Sequence, residues 1–180
     1  GTNANGFYKD GVMYLNINAD RPLSYVFSHE ITHHMQQYAP EQYAMFKQLV
    51  REKWFQQGGI EDAISQKIIQ YRGNGVELTR EEALDEILAD STYEIIQSQE
   101  FIDELCRENR SLAQSVLDAV RNVIDKLRAM IAEGQGFAPK YNESLLSELD
   151  ILKDAAKLWT DGLMVAAQNR EAVGVNETSE

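Results

Sequence analysis

The chain has 180 residues and a formal net charge of −12, with 29 acidic residues against 17 basic ones. This balance argues against nucleic acid as a partner, because phosphate recognition needs clustered Lys and Arg. No apolar run approaches the roughly 18 residues that span a membrane, so we expect no membrane segment. The single cysteine, Cys106, excludes an intrachain disulfide and favours the cytoplasm. Because the chain begins at Gly1 rather than Met, we expect a segment of a longer protein.

The N-terminal segment carries the strand signal of the sequence. Gly6–Tyr8 and Val12–Ile17 flank the turn pair Asp10-Gly11, which is typical of a β-hairpin. The remainder reads as helix. We therefore predict an α+β fold that is predominantly helical, with a small N-terminal hairpin or edge sheet.

Apolar residues at three- and four-residue spacing predict the helices. They cover residues 20–38, 41–57, 60–72, 79–97, 111–133 and 143–168. Thr79–Glu82 forms a capping box at one helix start, and Ser111–Gln114 repeats that pattern at another.

The domain prediction follows from the order of these elements. We predict one domain over residues 1–168, in which residues 1–98 carry the chemical motifs and residues 99–168 form a helical C-terminal part. Residues 169–180 read as a polar tail.

The informative motif is His29-Glu30-Ile31-Thr32-His33, an HExxH pattern on the first predicted helix. Histidines four residues apart share a helix face, so both imidazoles can reach one Zn²⁺. Glu30 is offset by about 100° of helical rotation, which puts it beside the metal as a base for a water molecule. His34 is turned away from that face and is interpreted as a bystander. The HExxH pattern therefore predicts an active-site helix.

The third zinc ligand is not fixed by this motif. A catalytic zinc usually has three protein ligands and an open position for water. Gln36 and Ala39 stand where a metzincin extension has Gly and His, so that branch is excluded. No further His remains in the chain, which also excludes a ferritin-like di-iron site. The third ligand is thus a carboxylate or Cys106, although Asp103–Cys106 lacks the Gly-Cys-Leu context of peptide deformylases.

An acidic helix segment, Leu84–Asp90, resembles the second signature of the gluzincins, the thermolysin-like branch of zincin peptidases. The resemblance implies that Glu86 is the third zinc ligand. It also implies that Asp90, four residues later, orients the metal-bound His29 from outside the coordination sphere.

Other acids on the same helix are rivals for the ligand role. Glu82 lies one turn before Glu86, but its place in the capping box gives it a structural role. Glu81 and Asp85 also have the required spacing, but Glu81 lies at the helix start, where acids are favoured anyway.

The whole arrangement resembles a zincin-like metallopeptidase domain, of the type embedded in large phage or conjugative-element proteins. The resemblance implies a zinc-dependent endopeptidase that acts on a peptide or protein, with Glu30 as general base. Such enzymes also use a Tyr or His to stabilise the oxyanion. Tyr93, seven residues after Glu86, is the candidate for that role.

Two other readings stay open. The chain could be a catalytically inactive, zinc-stabilised helical interaction domain, or a metal-free helical scaffold. Glu30 favours the enzyme, because a purely structural zinc site has no need of a carboxylate at that place.

Overall fold

The computed structural model describes residues 6–9, 12–15, 22–55, 59–133 and 139–178. Contacts divide the chain into two compact units, Gly1–Tyr93 and Glu94–Glu180. The prediction of one domain over residues 1–168 stays a prediction. Within the described ranges, no helix combines the length and hydrophobicity needed to cross a membrane.

The fold class differs from the prediction. Strands β1 (Gly6–Lys9) and β2 (Val12–Leu15) pair antiparallel with each other, and no third strand joins them in the part of the chain that the structure describes. An α+β fold needs a sheet on which helices pack. Helices instead hold nearly all the other described residues, so the α+β prediction with an edge sheet is wrong. The turn predicted at residues 10–11 and the strand end predicted at residue 17 lie outside the described residues.

The helices of the first unit follow the predicted order. They are α1 (Pro22–Tyr38), α2 (Pro40–Leu49), α3 (Gly59–Gly73) and α4 (Arg80–Ile95), and a π-helical turn (Val50–Trp54) continues α2. Pro40 lies at the start of α2, where its missing N–H costs nothing, and it separates α1 from α2.

Two local motifs fix the ends of α3 and α4. Gly75 has a φ of 79°, and its N–H bonds the Arg72 carbonyl while that of Val76 bonds the Tyr71 carbonyl. This is a Schellman motif, which requires a left-handed residue and therefore favours glycine. The predicted capping box at the start of α4 is confirmed, since Thr79 and Glu82 exchange two hydrogen bonds of 3.1 Å.

Apolar side chains pack α3 against α4 and form a core of the first unit. Its buried members are Ile60, Ile64, Ala83, Leu84 and Ile87. Because these residues recur at three- and four-residue spacing, each helix keeps a different face for polar side chains. Those polar faces carry the candidate site.

The second unit contains α5 (Gln99–Glu108), α6 (Arg110–Glu133) and α7 (Pro139–Thr178), which contact one another. Helix α5 was not predicted from the sequence. A cap was predicted at Ser111, whereas α6 begins one residue earlier and the Asn109 side chain accepts from the Leu112 N–H at 3.0 Å. Helix α7 continues ten residues past 168, so the predicted end of that helix is wrong, while the polar tail over residues 169–180 stays a prediction.

Close packing in the second unit depends on small side chains. A Cβ atom on Gly162 of α7 would lie 3.0 Å from the Cys106 sulfur on α5. Nearby, the Trp159 indole donates to the Ile96 carbonyl at 3.0 Å. Burial raises the pKa of the Cys106 thiol to about 11, so the thiol stays protonated at neutral pH.

Candidate metal centre

Helix α1 presents the three motif residues to different environments. His29 is buried, with 2% of its surface exposed, whereas Glu30 is half-buried and His33 is exposed. Ile31 and Met35, which point to other sides of α1 than His29, are also fully buried, so α1 is covered on more than one face. The Tyr25 ring, one turn earlier, packs on the His29 ring with centroids 4.3 Å apart. His29 is thus the inner residue of the motif.

Two carboxylates from α4 converge on the His29 ring. Glu86 Oε2 lies 3.5 Å from His29 Nε2, and Asp90 Oδ1 lies 3.8 Å from the same nitrogen. Residues 86 and 90 are one turn apart, so they share a face of α4. The structure therefore brings together His29, Glu86 and Asp90, which the sequence analysis had singled out from two separate segments.

Both acids face one ring nitrogen. In the arrangement that the gluzincin resemblance implies, a ligating histidine uses one nitrogen for the metal and donates the other to its acidic partner. Here Glu86 and Asp90 both lie near Nε2 of His29. The role of Asp90 as an orienting acceptor stays a prediction, and the geometry makes Asp90 a second acid beside the candidate ligand.

Three residues that complete this group were not predicted from the sequence. They are Tyr25 of α1 and two residues of α3, Lys67 and Tyr71. Tyr71 donates to Glu86 Oε2 at 2.7 Å, and the Lys67 ammonium hydrogen-bonds and ion-pairs with Asp90 Oδ2. Both come from α3, one turn apart, and Tyr71 is fully buried. We call Tyr25, His29, Lys67, Tyr71, Glu86 and Asp90 the His29 cluster. The i, i+4 spacing of Lys67 and Tyr71 was visible in the sequence, but nothing local linked them to α4.

The environment moves the pKa values of the two acids in opposite directions. Burial raises the pKa of Glu86, although His29 and the Tyr71 hydroxyl favour its charged form. Burial would also raise the pKa of Asp90, but the nearby His29 imidazole and the positive charge of Lys67 hold it below its usual value. Asp90 also keeps 35% of its side-chain surface exposed, against 17% for Glu86. The protein therefore favours the ionised form of Asp90 and disfavours the ionised form of Glu86.

The donor types fit a zinc site, although the side chains are not gathered around one point. Two ligand atoms on a tetrahedral zinc lie about 3.3 Å apart, which matches the 3.5 Å between His29 and Glu86. The rings of His29 and His33 have centroids 6.0 Å apart and meet at 79°. Two imidazoles on one zinc would have centroids about 5 Å apart.

As the side chains stand, no group of three or more His, Cys, Asp and Glu residues in the described ranges is arranged to hold a metal ion. Two of the three candidate ligands, His29 and Glu86, already lie at ligand spacing. The third, His33, is exposed and one helical turn away, so a rotation of its side chain decides whether the set closes. A zinc ion would therefore require movement of His33 rather than of the helices.

The remaining candidates lie in distinct places. Tyr93 is buried, with 5% of its surface exposed. The His34 ring packs on Tyr38 with centroids 4.7 Å apart. The rival ligand Glu82 accepts from the Thr79 N–H, as its capping role requires.

Rivals Glu81 and Asp85 take part in a second polar group on α4. Lys47 contacts Glu81 at 3.1 Å and Asp85 at 2.7 Å, and the Tyr43 hydroxyl donates to Asp85 at 2.8 Å. We call Tyr43, Lys47, Glu81 and Asp85 the Asp85 cluster. These contacts give Glu81 and Asp85 partners on α2.

Comparison with known proteins found no match: no family model, no curated protein and no solved structure matches the chain.

Proposed function

We propose that this chain is a zinc-dependent endopeptidase, with His29, His33 and Glu86 as the residues that would hold the metal. The observation that carries the proposal is the 3.5 Å distance between His29 Nε2 and Glu86 Oε2. An HExxH helix and an acidic helix supply an imidazole and a carboxylate to one buried point. The two helices are far apart in sequence, since 53 residues separate His33 from Glu86. A structural helix pair has no requirement for that combination.

Zinc bound there would polarise the scissile carbonyl and acidify a water molecule. Glu30 follows His29 directly and is half-buried, so it can exchange protons with solvent. Its carboxylate accepts the proton of the attacking water and returns that proton to the leaving amine. A peptide or protein is the substrate class that this chemistry requires.

Tyr93 is the proposed donor to the developing oxyanion. Its hydroxyl lies in a buried environment, in which a hydrogen bond to a charged oxygen is stronger than in water. We also propose a cytoplasmic location, where the single, buried Cys106 stays reduced.

A second candidate function is favoured by one observation. Tyr71 and Lys67 already satisfy the two acids of the His29 cluster, which is what a helical interaction domain without catalysis needs. In that case zinc would be structural or absent, and Glu30 would be dispensable.

The Glu30→Gln variant separates these two functions. We expect it to keep its zinc and lose peptidase activity by about 10²–10⁴-fold, measured on a denatured protein or a peptide library by mass spectrometry. The matched control is Glu41→Gln, an exposed glutamate in the first turn of α2, which should cleave like the wild type. Equal cleavage by Glu30→Gln would contradict the proposal.

A further inference from the structure

Helix α3 contributes two different kinds of partner to the acids of α4. The Tyr71 hydroxyl donates to Glu86 at 2.7 Å, and the Lys67 ammonium pairs with Asp90. Lys67 is largely covered, with 15% of its side-chain surface exposed. Because residues 67 and 71 are one helical turn apart, α3 supplies both partners from one face.

These partners have unequal electrostatic consequences. A phenol is neutral, so it orients the Glu86 carboxylate and leaves its negative charge in place. An ammonium group carries a full positive charge, so it offsets the charge of Asp90. Glu86 and Asp90 face the same nitrogen of His29. The negative charge of Glu86 therefore stays available to a bound cation, whereas the charge of Asp90 is offset by Lys67.

From this asymmetry we infer that Lys67 is an internal counter-ion that holds Asp90 out of the metal's coordination and thereby assigns the ligand role to Glu86, which Tyr71 positions. The inference rests on the proposed function, since it concerns the same site. Each residue acts through an acid of α4, so both are positioning residues.

Opposite effects on metal affinity follow from these roles. Removal of the Lys67 charge takes away the repulsion of a nearby divalent cation and releases Asp90 as an additional anion. Lys67→Met should therefore bind zinc about ten-fold more tightly than the wild type. Tyr71→Phe leaves the Glu86 carboxylate without its positioning donor, and loss of such a partner typically weakens metal affinity by about 10–100-fold.

The Asp85 cluster provides matched controls for both variants. Lys47 has 18% of its side-chain surface exposed and contacts two acids of α4, and the Tyr43 hydroxyl donates to Asp85 at 2.8 Å. Lys47→Met and Tyr43→Phe thus remove the same groups from the same helix partner. They should change zinc affinity by less than about three-fold, since neither residue contacts Glu86 or Asp90 through a bond of its own.

The experiment is a zinc titration of the wild type, the four variants and Lys67→Arg in competition with a chromophoric chelator, with thermal unfolding of each metal-free protein as a second measurement. Loss of an ion pair or a hydrogen bond should lower the unfolding midpoint in all four variants. Zinc affinity should rise in Lys67→Met, fall in Tyr71→Phe and stay near the wild-type value in both controls. Lys67→Arg, which keeps the charge, should bind zinc like the wild type.

Each result supports or overturns the inference. If the wild type binds zinc and Lys67→Met binds it equally or more weakly, the counter-ion role is wrong while the proposed function stands. Equal tightening by Lys47→Met would also overturn it, because the effect would then be one of net charge. If Lys67→Met binds zinc and the wild type does not, the role of Lys67 is supported. The proposed function would then be revised to that of a metal site that Lys67 keeps empty in the wild type. Failure of every protein to bind zinc would overturn both.

Discussion

Two polar clusters on α4 share a Tyr, a Lys, a Glu and an Asp, and one of them also contains a histidine. In the Asp85 cluster, Tyr43 and Lys47 of α2 contact Asp85. In the His29 cluster, Tyr71 and Lys67 of α3 contact Glu86 and Asp90. Each cluster takes its Tyr and Lys from positions one helical turn apart. The difference is an imidazole, since His29 lies against both acids of the second cluster.

The pKa shifts show what that difference does. Burial lowers the pKa of Lys47, but its hydrogen bonds with Asp85 and Glu81 reverse the effect and raise it. The Lys47 charge is therefore well compensated. Burial leaves Glu86 with a raised pKa in spite of Tyr71 and His29. A carboxylate that is costly to ionise beside an imidazole is typical of a functional site, whereas a compensated ion pair is typical of a structural one.

The largest expected effect comes from removal of one acid from each cluster. Glu86→Ala should lose at least about 100-fold in zinc affinity, because a direct ligand contributes more than an outer partner. Asp85→Ala and the capping variant Glu82→Ala should keep wild-type affinity. Competition titration of the three proteins measures this, and loss of zinc by Glu82→Ala with retention by Glu86→Ala would reassign the ligand.

A smaller effect is expected from the two hydroxyl groups in the metal-free protein. Tyr71→Phe and Tyr43→Phe should each reduce the free energy of unfolding by about 1–3 kcal/mol, since each removes a hydroxyl donor from a partly buried carboxylate. Urea denaturation measures both. Near-equal losses would show that the clusters are equivalent as structural networks. A negligible loss in Tyr71→Phe would contradict the hydrogen bond to Glu86.

The smallest expected effect is on the pH dependence of stability. Because the folded-state pKa of Glu86 is raised, the unfolded chain releases this proton first, and stability falls as pH rises from the unfolded pKa through the folded one. Metal-free Glu86→Gln lacks this loss, so it should be more stable than the wild type at pH 7, with the gap closing towards pH 4. Thermal unfolding across this range tests the sign.

Asp90 should behave in the opposite way. Its folded-state pKa is lowered, so its contribution to stability is present above the unfolded pKa and is lost as pH falls through the folded one. Asp90→Asn should be less stable than the wild type at pH 7, by less than about 1 kcal/mol because Asp90 is partly exposed. The gap should close below pH 4. A gap of the same sign as that of Glu86→Gln would contradict the asymmetry between the two acids.

The sequence predicted the local parts of the site better than its tertiary parts. His29, Glu30 and His33 could be predicted from the sequence because helical periodicity alone relates them. Glu86 and Asp90 were reached through the resemblance to gluzincins and the i, i+4 rule. Lys67 and Tyr71 were not, because their link to α4 depends on how α3 packs, which no local pattern encodes.

The fold errors have similar physical origins. Helix α5 was missed because it is ten residues long and mostly polar, although its buried side chains do recur at helical spacing. A hairpin pattern in the first residues suggested a sheet. Two short strands alone do not make an α+β fold, which needs a larger sheet for the helices to pack on. The end of α7 was predicted from the end of its apolar stripe, but the helix continues beyond that stripe to Thr178.

The zinc content of the protein is the most direct test of the proposed metal centre. Elemental analysis of the purified wild type, His29→Ala and His34→Ala, each dialysed against micromolar zinc and then freed of unbound metal, compares two histidines of one helix. We expect close to one zinc per chain in the wild type and in His34→Ala, and almost none in His29→Ala. A wild type without zinc, or a His29→Ala variant that keeps it, would contradict the claim that His29 is the inner residue of a metal centre.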